Sequence, residues 1–122
     1  MIKLAIAGSR NFNDYVSFRL AVDKILAEWN NPNIEYIITG GAKGVDTLAE
    51  RYAKERNIPL VSKLPNWQKY GKAAGPIRNS EIVADCTHLI AFPSHLGSGT
   101  QDTINKFKKN KGYINIKVLY ID

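Results

Sequence analysis

The feature that most constrains this chain is a handover made three times. An apolar segment ends in a glycine-bearing turn, and each time a helical pattern follows. The turns are Ala7-Gly8-Ser9-Arg10, Thr39-Gly40-Gly41-Ala42-Lys43-Gly44 and Leu96-Gly97-Ser98-Gly99-Thr100. In an open parallel sheet, all strand-to-helix turns lie at one edge, the carboxyl ends of the strands. Glycines there let backbone N–H groups approach an anion, and the helix N-terminus behind adds partial positive charge. One such turn says little; three in 122 residues predict a single site for a phosphate-bearing ligand.

The rest of the pattern fits that frame. Residues 2–7 are short and apolar, as in a buried strand. Phe18, Val22, Ile25, Leu26 and Trp29 then share one helical face, with Asn13 or Asp14 available as the cap. A loop at residues 30–33 leads to a second strand over 34–39. Val45, Leu48, Ala49, Tyr52 and Ala53 repeat at helical spacing and stop before Ile58-Pro59. A third strand is expected over 60–64 and an irregular stretch over 65–75, bounded by Pro65 and Pro76. Pro76 suits the first turn of a helix reaching about Asp85. A fourth strand over 88–92, a helix to about Lys109 ended by Gly112, and a fifth strand over 114–121 complete the order. Strand and helix alternate throughout, which predicts an α/β fold with a parallel sheet covered by helices on both faces.

Composition narrows the classes. A length of 122 residues suits one domain spanning 1–122. No apolar run approaches the roughly 20 residues that span a bilayer, and Met1 leads straight into a strand-like segment without a signal pattern. A cytoplasmic protein with no membrane partner is the expectation. Cys86 stands alone beside Ile82-Val83-Ala84, which excludes an intramolecular disulfide and a thiolate metal cluster and suits a buried structural thiol. The net charge is +6, with Lys106, Lys108, Lys109, Lys111 and Lys117 near the C-terminus. Such lysines complement the C-terminal end of a last helix, or they attract a polyanion such as nucleic acid.

Each turn carries candidate ligand groups. Ser9 offers a hydroxyl and Arg10 a fork of donors suited to phosphate, or Arg10 is simply exposed. Gly40, Gly41, Ala42, Lys43 and Gly44 bring amides and a mobile charge. No Gly-Lys-Ser/Thr ends this turn, so it is not the phosphate loop of the NTPases. Asp46 falls in a first helical turn, where it favours the dipole or accepts from ribose hydroxyls. Trp67 and Tyr70 can stack on a base or plug the core. Arg78 and Asn79 open a helix and can reach the same edge, or pair on the surface. Gly97, Ser98, Gly99 and Thr100 form another anion cradle; His95, close by, is a bystander or an acid–base group, and His88, inside a strand, is structural. No His/Cys cluster points to a metal or cofactor; Mg²⁺ would enter only with a ligand's phosphates.

Taken together, these segments resemble the SLOG superfamily of Smf/DprA and LOG proteins, and its small YspA-like branch most. The resemblance rests on Gly8-Ser9-Arg10, Gly40-Gly41-Ala42-Lys43-Gly44-Val45-Asp46, Trp67, Tyr70-Gly71, Ala74-Gly75-Pro76-Ile77-Arg78-Asn79 and Gly97-Ser98-Gly99-Thr100, in that order. It implies a Rossmann-like three-layer αβα fold with a mainly parallel sheet of about five strands. It also implies a nucleotide-derived ligand. Members bind or sense nucleotide signals, including NAD- and ADP-ribose-derived ones, often in bacterial or phage conflict systems. LOG-type members hydrolyse nucleoside 5′-monophosphates and form dimers, so a homodimer is implied here; DprA-type members bind single-stranded DNA. Where the LOG motif carries its catalytic glutamate, this chain has Thr103. Asp102 lies one residue earlier, about 100° around a helix. Glycoside cleavage needs a carboxylate beside the sugar, which leaves Asp102 or Asp46 as the candidates. Ligand binding is thus the first expectation, and N-glycosidase activity and single-stranded DNA binding are the alternatives.

Overall fold

A computed structural model describes residues Met1–Asp122. The chain runs β1 (Ile2–Gly8), α1 (Tyr15–Glu28), β2 (Ile34–Thr39), α2 (Val45–Glu55) and β3 (Leu60–Ser62). It continues with a one-turn α3 (Trp67–Tyr70), a 3₁₀ turn (Gly71–Ala73), α4 (Ala74–Asp85), β4 (His88–Phe92), α5 (Gly99–Lys111) and β5 (Ile116–Val118). All five strands are parallel, in the order β3-β2-β1-β4-β5. From β1 the chain winds outward through β2 and β3, then returns across the sheet to β4 and β5. The direction reverses between β1 and β4, and that switch point opens a crevice at the carboxyl ends of the two strands. This is the expected Rossmann-like three-layer arrangement.

Alternation along the central strands sorts the core into two halves. Leu4, Ile6 and Ile37 face one side, where Phe18, Val22 and Ile25 of α1 meet Val45, Ala49 and Tyr52 of α2. Ala5 and Ile38 face the other side, against Ile82 and Val83 of α4 and Ile104 and Phe107 of α5. Phe18 has no exposed surface. Its ring lies 5.2 Å from that of Phe92 and meets Tyr52 edge-on at 6.2 Å. The Tyr52 hydroxyl reaches out of the core to donate to Asp23 at 2.6 Å and accepts from Arg56 at 3.0 Å, so burying the ring strands no polar atom. Cys86 is buried in the second half, and burial pushes its thiol up to about 11. No helix is long and apolar enough to cross a membrane.

Local chemistry sets the boundaries. The Asp14 carboxylate caps α1, accepting from the Ser17 amide at 3.1 Å and its hydroxyl at 2.7 Å. Gly112, at φ 82°, ends α5. Two expectations need correction. Residues 65–75 are not irregular: Asn66 accepts from the Lys69 amide at 3.1 Å and caps α3, and the 3₁₀ turn carries on into α4. Helix α4 begins at Ala74 and holds Pro76 in its first turn, as expected, where no N–H is needed. Strands β3 and β5 hold three residues each, shorter than expected, because they are the sheet's two edges and Leu64, Tyr113 and Ile114 turn to solvent.

Candidate functional site

A cleft of about 280 Å³ occupies the switch point. The turn after β1 forms its floor. The Ser9 amide donates to the Phe92 carbonyl at 3.0 Å, tying β1 to β4, and the Ser9 carbonyl accepts from the Val45 amide at 3.1 Å, tying the turn to α2. The Ser9 hydroxyl folds back to accept from the Asn11 amide at 3.2 Å. Gly8, Ser9, Arg10 and Asn11 all face the cleft.

The turn after β2 supplies one wall, and the protein itself uses one of its donors. Asp46 is 6% exposed, and its Oδ2 accepts from the Ala42 amide at 3.1 Å. Burial pushes the Asp46 carboxyl above the usual carboxylate range, against the opposing pull of the Ala42 amide and the Arg78 charge. Arg78, from the first turns of α4, lies across this wall. It donates through Nη1 to the Gly40 carbonyl at 2.7 Å and through Nε to Asn79 Oδ1 at 2.9 Å. Burial lowers the Arg78 pKa; the Asp46 carboxylate opposes that shift and Arg10 adds to it. Starting from the arginine range, it remains a cation at neutral pH.

The opposite wall is the start of α5. Ser98 stands at the N-cap position and makes no capping hydrogen bond. The first amides of α5 are therefore without protein partners and carry the positive end of the helix dipole. Ser98, Gly99 and Thr100 line the cleft here, and the buried Thr103 lies one turn further in.

A family model described as the YspA, cpYpsA-related SLOG family matches residues 2–70. The chain belongs to that family. The "Gene 61 protein" of Mycobacterium phage D29 is 31% identical over 117 residues, covering 89% of this chain and 90% of the relative. Membership in the SLOG family suggests binding or processing of a nucleotide-related ligand. The matched span holds the turns after β1 and β2, whereas Arg78, Asn79 and the α5 turn lie beyond residue 70.

The fold brings most of the sequence candidates to one place. Gly8, Ser9, Arg10, Gly40, Ala42 and Asp46 line the cleft from the SLOG-matched half, and Arg78, Asn79, Gly97, Ser98, Gly99 and Thr100 from the other. Gly41, Lys43 and Gly44 belong to the same turn yet lie outside the lining. A side chain at Gly41 would run into Leu64, away from the cleft. Trp67 and Tyr70 are also outside it, 52% and 39% exposed, with Lys69 over the Tyr70 ring. Asp102 is outside as well, its Oδ2 held by Asn79 and Lys106. His95 pairs with Asp122 and stacks on Tyr120, and His88 meets Trp29 edge-on. Sequence reasoning missed Asn11, Ser94 and Thr103. Asn11 directly follows Arg10, Ser94 follows the end of β4 by two residues, and Thr103 is three residues after Thr100 on the same helix face.

Proposed function

We propose that this SLOG protein binds a nucleotide-derived ligand bearing phosphate and ribose, and so senses or sequesters it. NAD- and ADP-ribose-derived molecules are the class we favour. The observation that carries the reading is the pairing, in one cleft, of two arginines with an uncapped helix N-terminus. Arg10 and Arg78 supply charge and forked donors, and the first α5 amides with Ser98 and Thr100 supply the cradle. Asp46, on the other wall, suits ribose hydroxyls, which donate to a carboxylate. The cleft sits at the small end of ligand pockets, about 300 Å³, so it takes one nucleotide unit and leaves the rest of a larger ligand outside.

The test is native mass spectrometry of the purified protein with AMP, ADP-ribose, cyclic ADP-ribose and NAD in turn. An intact ligand retained by wild type and lost in Arg10→Ala and Arg78→Ala is the expected result, and the same spectra read whether a homodimer forms. Retention that is indifferent to both arginines would remove the site assignment.

One observation favours a second reading, hydrolysis of an N-glycosidic bond. Asp46 is a cleft carboxylate whose pKa burial raises, as suits a group that exchanges protons. Under that reading free base appears from a nucleoside monophosphate, and Asp46→Asn stops its release. No base after prolonged incubation with AMP counts against the hydrolase.

A further inference from the structure

Asn79 is 7% exposed and sits between the two walls of the cleft. Both ends of its amide are in use. Oδ1 accepts from Arg78 Nε at 2.9 Å. Nδ2 donates to Asp102 Oδ2 at 3.0 Å and to the Gly99 carbonyl at 3.3 Å. The same Asp102 oxygen meets Lys106 Nζ at 2.9 Å, and that ammonium also donates to the Pro76 carbonyl at 2.7 Å. At the other end Arg78 Nη1 reaches the Gly40 carbonyl. An unbroken polar line thus runs Lys106–Asp102–Asn79–Arg78–Gly40, from α5 through α4 to the turn after β2.

The chemistry of the line permits one arrangement. A guanidinium can only donate, and an ionised carboxylate can only accept. Arg78 requires an acceptor from Asn79, and Asp102 requires a donor. The amide satisfies both with its oxygen toward Arg78 and its nitrogen toward Asp102; turned over, it satisfies neither. Arg78 then spends Nε and one Nη1 hydrogen on the protein, and its Nη2 edge is left for the cleft.

We propose that Asn79 and Asp102 are positioning residues for Arg78: the Asp102 carboxylate orients the Asn79 amide, and the amide holds the guanidinium with its free edge toward an anion. This rests on the reading of Arg78 as an anion-binding residue. Asp102 reaches the cleft only through Asn79, so its task is orientation rather than acid–base chemistry. Because Nδ2 also holds the Gly99 carbonyl, the same amide sets the distance between the arginine and the α5 amides that face it.

Nitrogen-15 NMR of the unliganded protein reads the Arg78 Nε–H directly, whatever the ligand. Asn79→Ala is expected to speed exchange of that proton with water about tenfold, as for the loss of a hydrogen bond to a charged donor. Asp102→Ala never touches Arg78, yet is expected to speed it about threefold. In the Asn79→Ala background, Asp102→Ala should add nothing, the signature of residues acting through one another. Nε–H exchange unchanged by Asp102→Ala, or effects that simply add, would overturn the positioning role. Inorganic phosphate titrated into the same variants separates the two layers: affinity about tenfold weaker in Asn79→Ala supports both. Absence of phosphate binding by wild type, with the exchange pattern intact, overturns the anion-binding reading of Arg78 and leaves the relay standing.

Discussion

The turns after β2 and after β4 look alike as sequence, each rich in glycine and each opening a helix, yet their glycines answer to opposite demands. In the β2 turn the space is taken by the protein. Gly40 leaves room for the Arg78 guanidinium to lie against the backbone. Gly44 sits at φ 73° and ψ −126°, which only glycine adopts readily, and a side chain there would strike the backbone of Ser9 and Arg10. Two of its donors are taken as well, Ala42 giving its amide to Asp46 and Val45 to Ser9. In the β4 turn a side chain at Gly97 or Gly99 would meet nothing within 4 Å, and the helix behind has no cap. One turn is built for the fold. The other has bare backbone facing the cleft that no packing explains, which is the arrangement a ligand requires.

Stability measurements can break this contrast, and Gly44→Ala is the largest expected effect. Its Cβ would lie 2.6 Å from Arg10 Cα in a backbone conformation that alanine avoids. A loss of about 3 kcal/mol in urea unfolding is expected, from strain and clash together. Gly97→Ala and Gly99→Ala should each stay within about 0.5 kcal/mol of wild type, while AMP binding weakens several-fold because a methyl group enters the approach to the α5 amides. If either of these costs as much stability as Gly44→Ala, the two turns are the same kind of object and the contrast fails.

Asp46 sharpens it from the other side. Its folded pKa is raised, so the fold disfavours the ionised form. The penalty is absent below the unfolded carboxylate pKa of about 3.9 and grows to its full size as pH rises through the folded value. Asp46→Asn keeps an acceptor for the Ala42 amide and removes the charge. It should stabilise the protein at pH 7 by up to about 1 kcal/mol, leave acidic-pH stability little changed, and weaken ligand binding. A variant that is less stable than wild type at pH 7 would mean that the Arg78–Asp46 attraction outweighs burial.

The layers of this fold were legible because the signals were local. Phe18 to Trp29 and Val45 to Ala53 repeat at helical spacing, and β2 and β4 fall on the expected residues because apolar runs bounded by Asn/Pro and Gly/Pro leave little choice. The convergence of Arg10, Arg78 and the α5 turn on one edge also followed, since parallel topology forces it. What failed to show was direction. Gly41 and Lys43 belong to the right turn but lie outside the cleft lining, and nothing in a run of glycines says which amides the protein keeps for its own carboxylate. Trp67 and Tyr70 read as base-stacking candidates because sequence does not reveal that a capped turn at Asn66 leaves them outside the cleft lining. Asp102 looked free to act because its partners, Asn79 and Lys106, come from a neighbouring helix and from one turn along its own.

The smallest expected effect concerns what holds the open turn in place, since its glycines do not. The Asp122 side chain accepts from the Ser94 hydroxyl at 2.6 Å, the His95 amide at 3.0 Å and the His95 ring at 2.9 Å. These contacts, the Ser94 hydroxyl first, pull the Asp122 carboxyl down to about 2. With a depressed folded pKa, the tether is complete above the unfolded value of about 3.9 and is lost as pH falls through about 2. Asp122→Ala should therefore leave global unfolding unchanged and raise hydrogen exchange at His95, Leu96 and Gly97. Wild type should show the same local loosening only as pH drops from about 4 towards 2. Ser94 and Leu96 both line the cleft, so a looser turn also presents the α5 amides less uniformly, and AMP affinity should fall slightly. If exchange in this segment is already fast in wild type at pH 7 and does not respond to Asp122→Ala, the tether contributes no order. The open turn would then be shaped only when a ligand fills it, and the difference between the two turns would be larger than their structures alone imply.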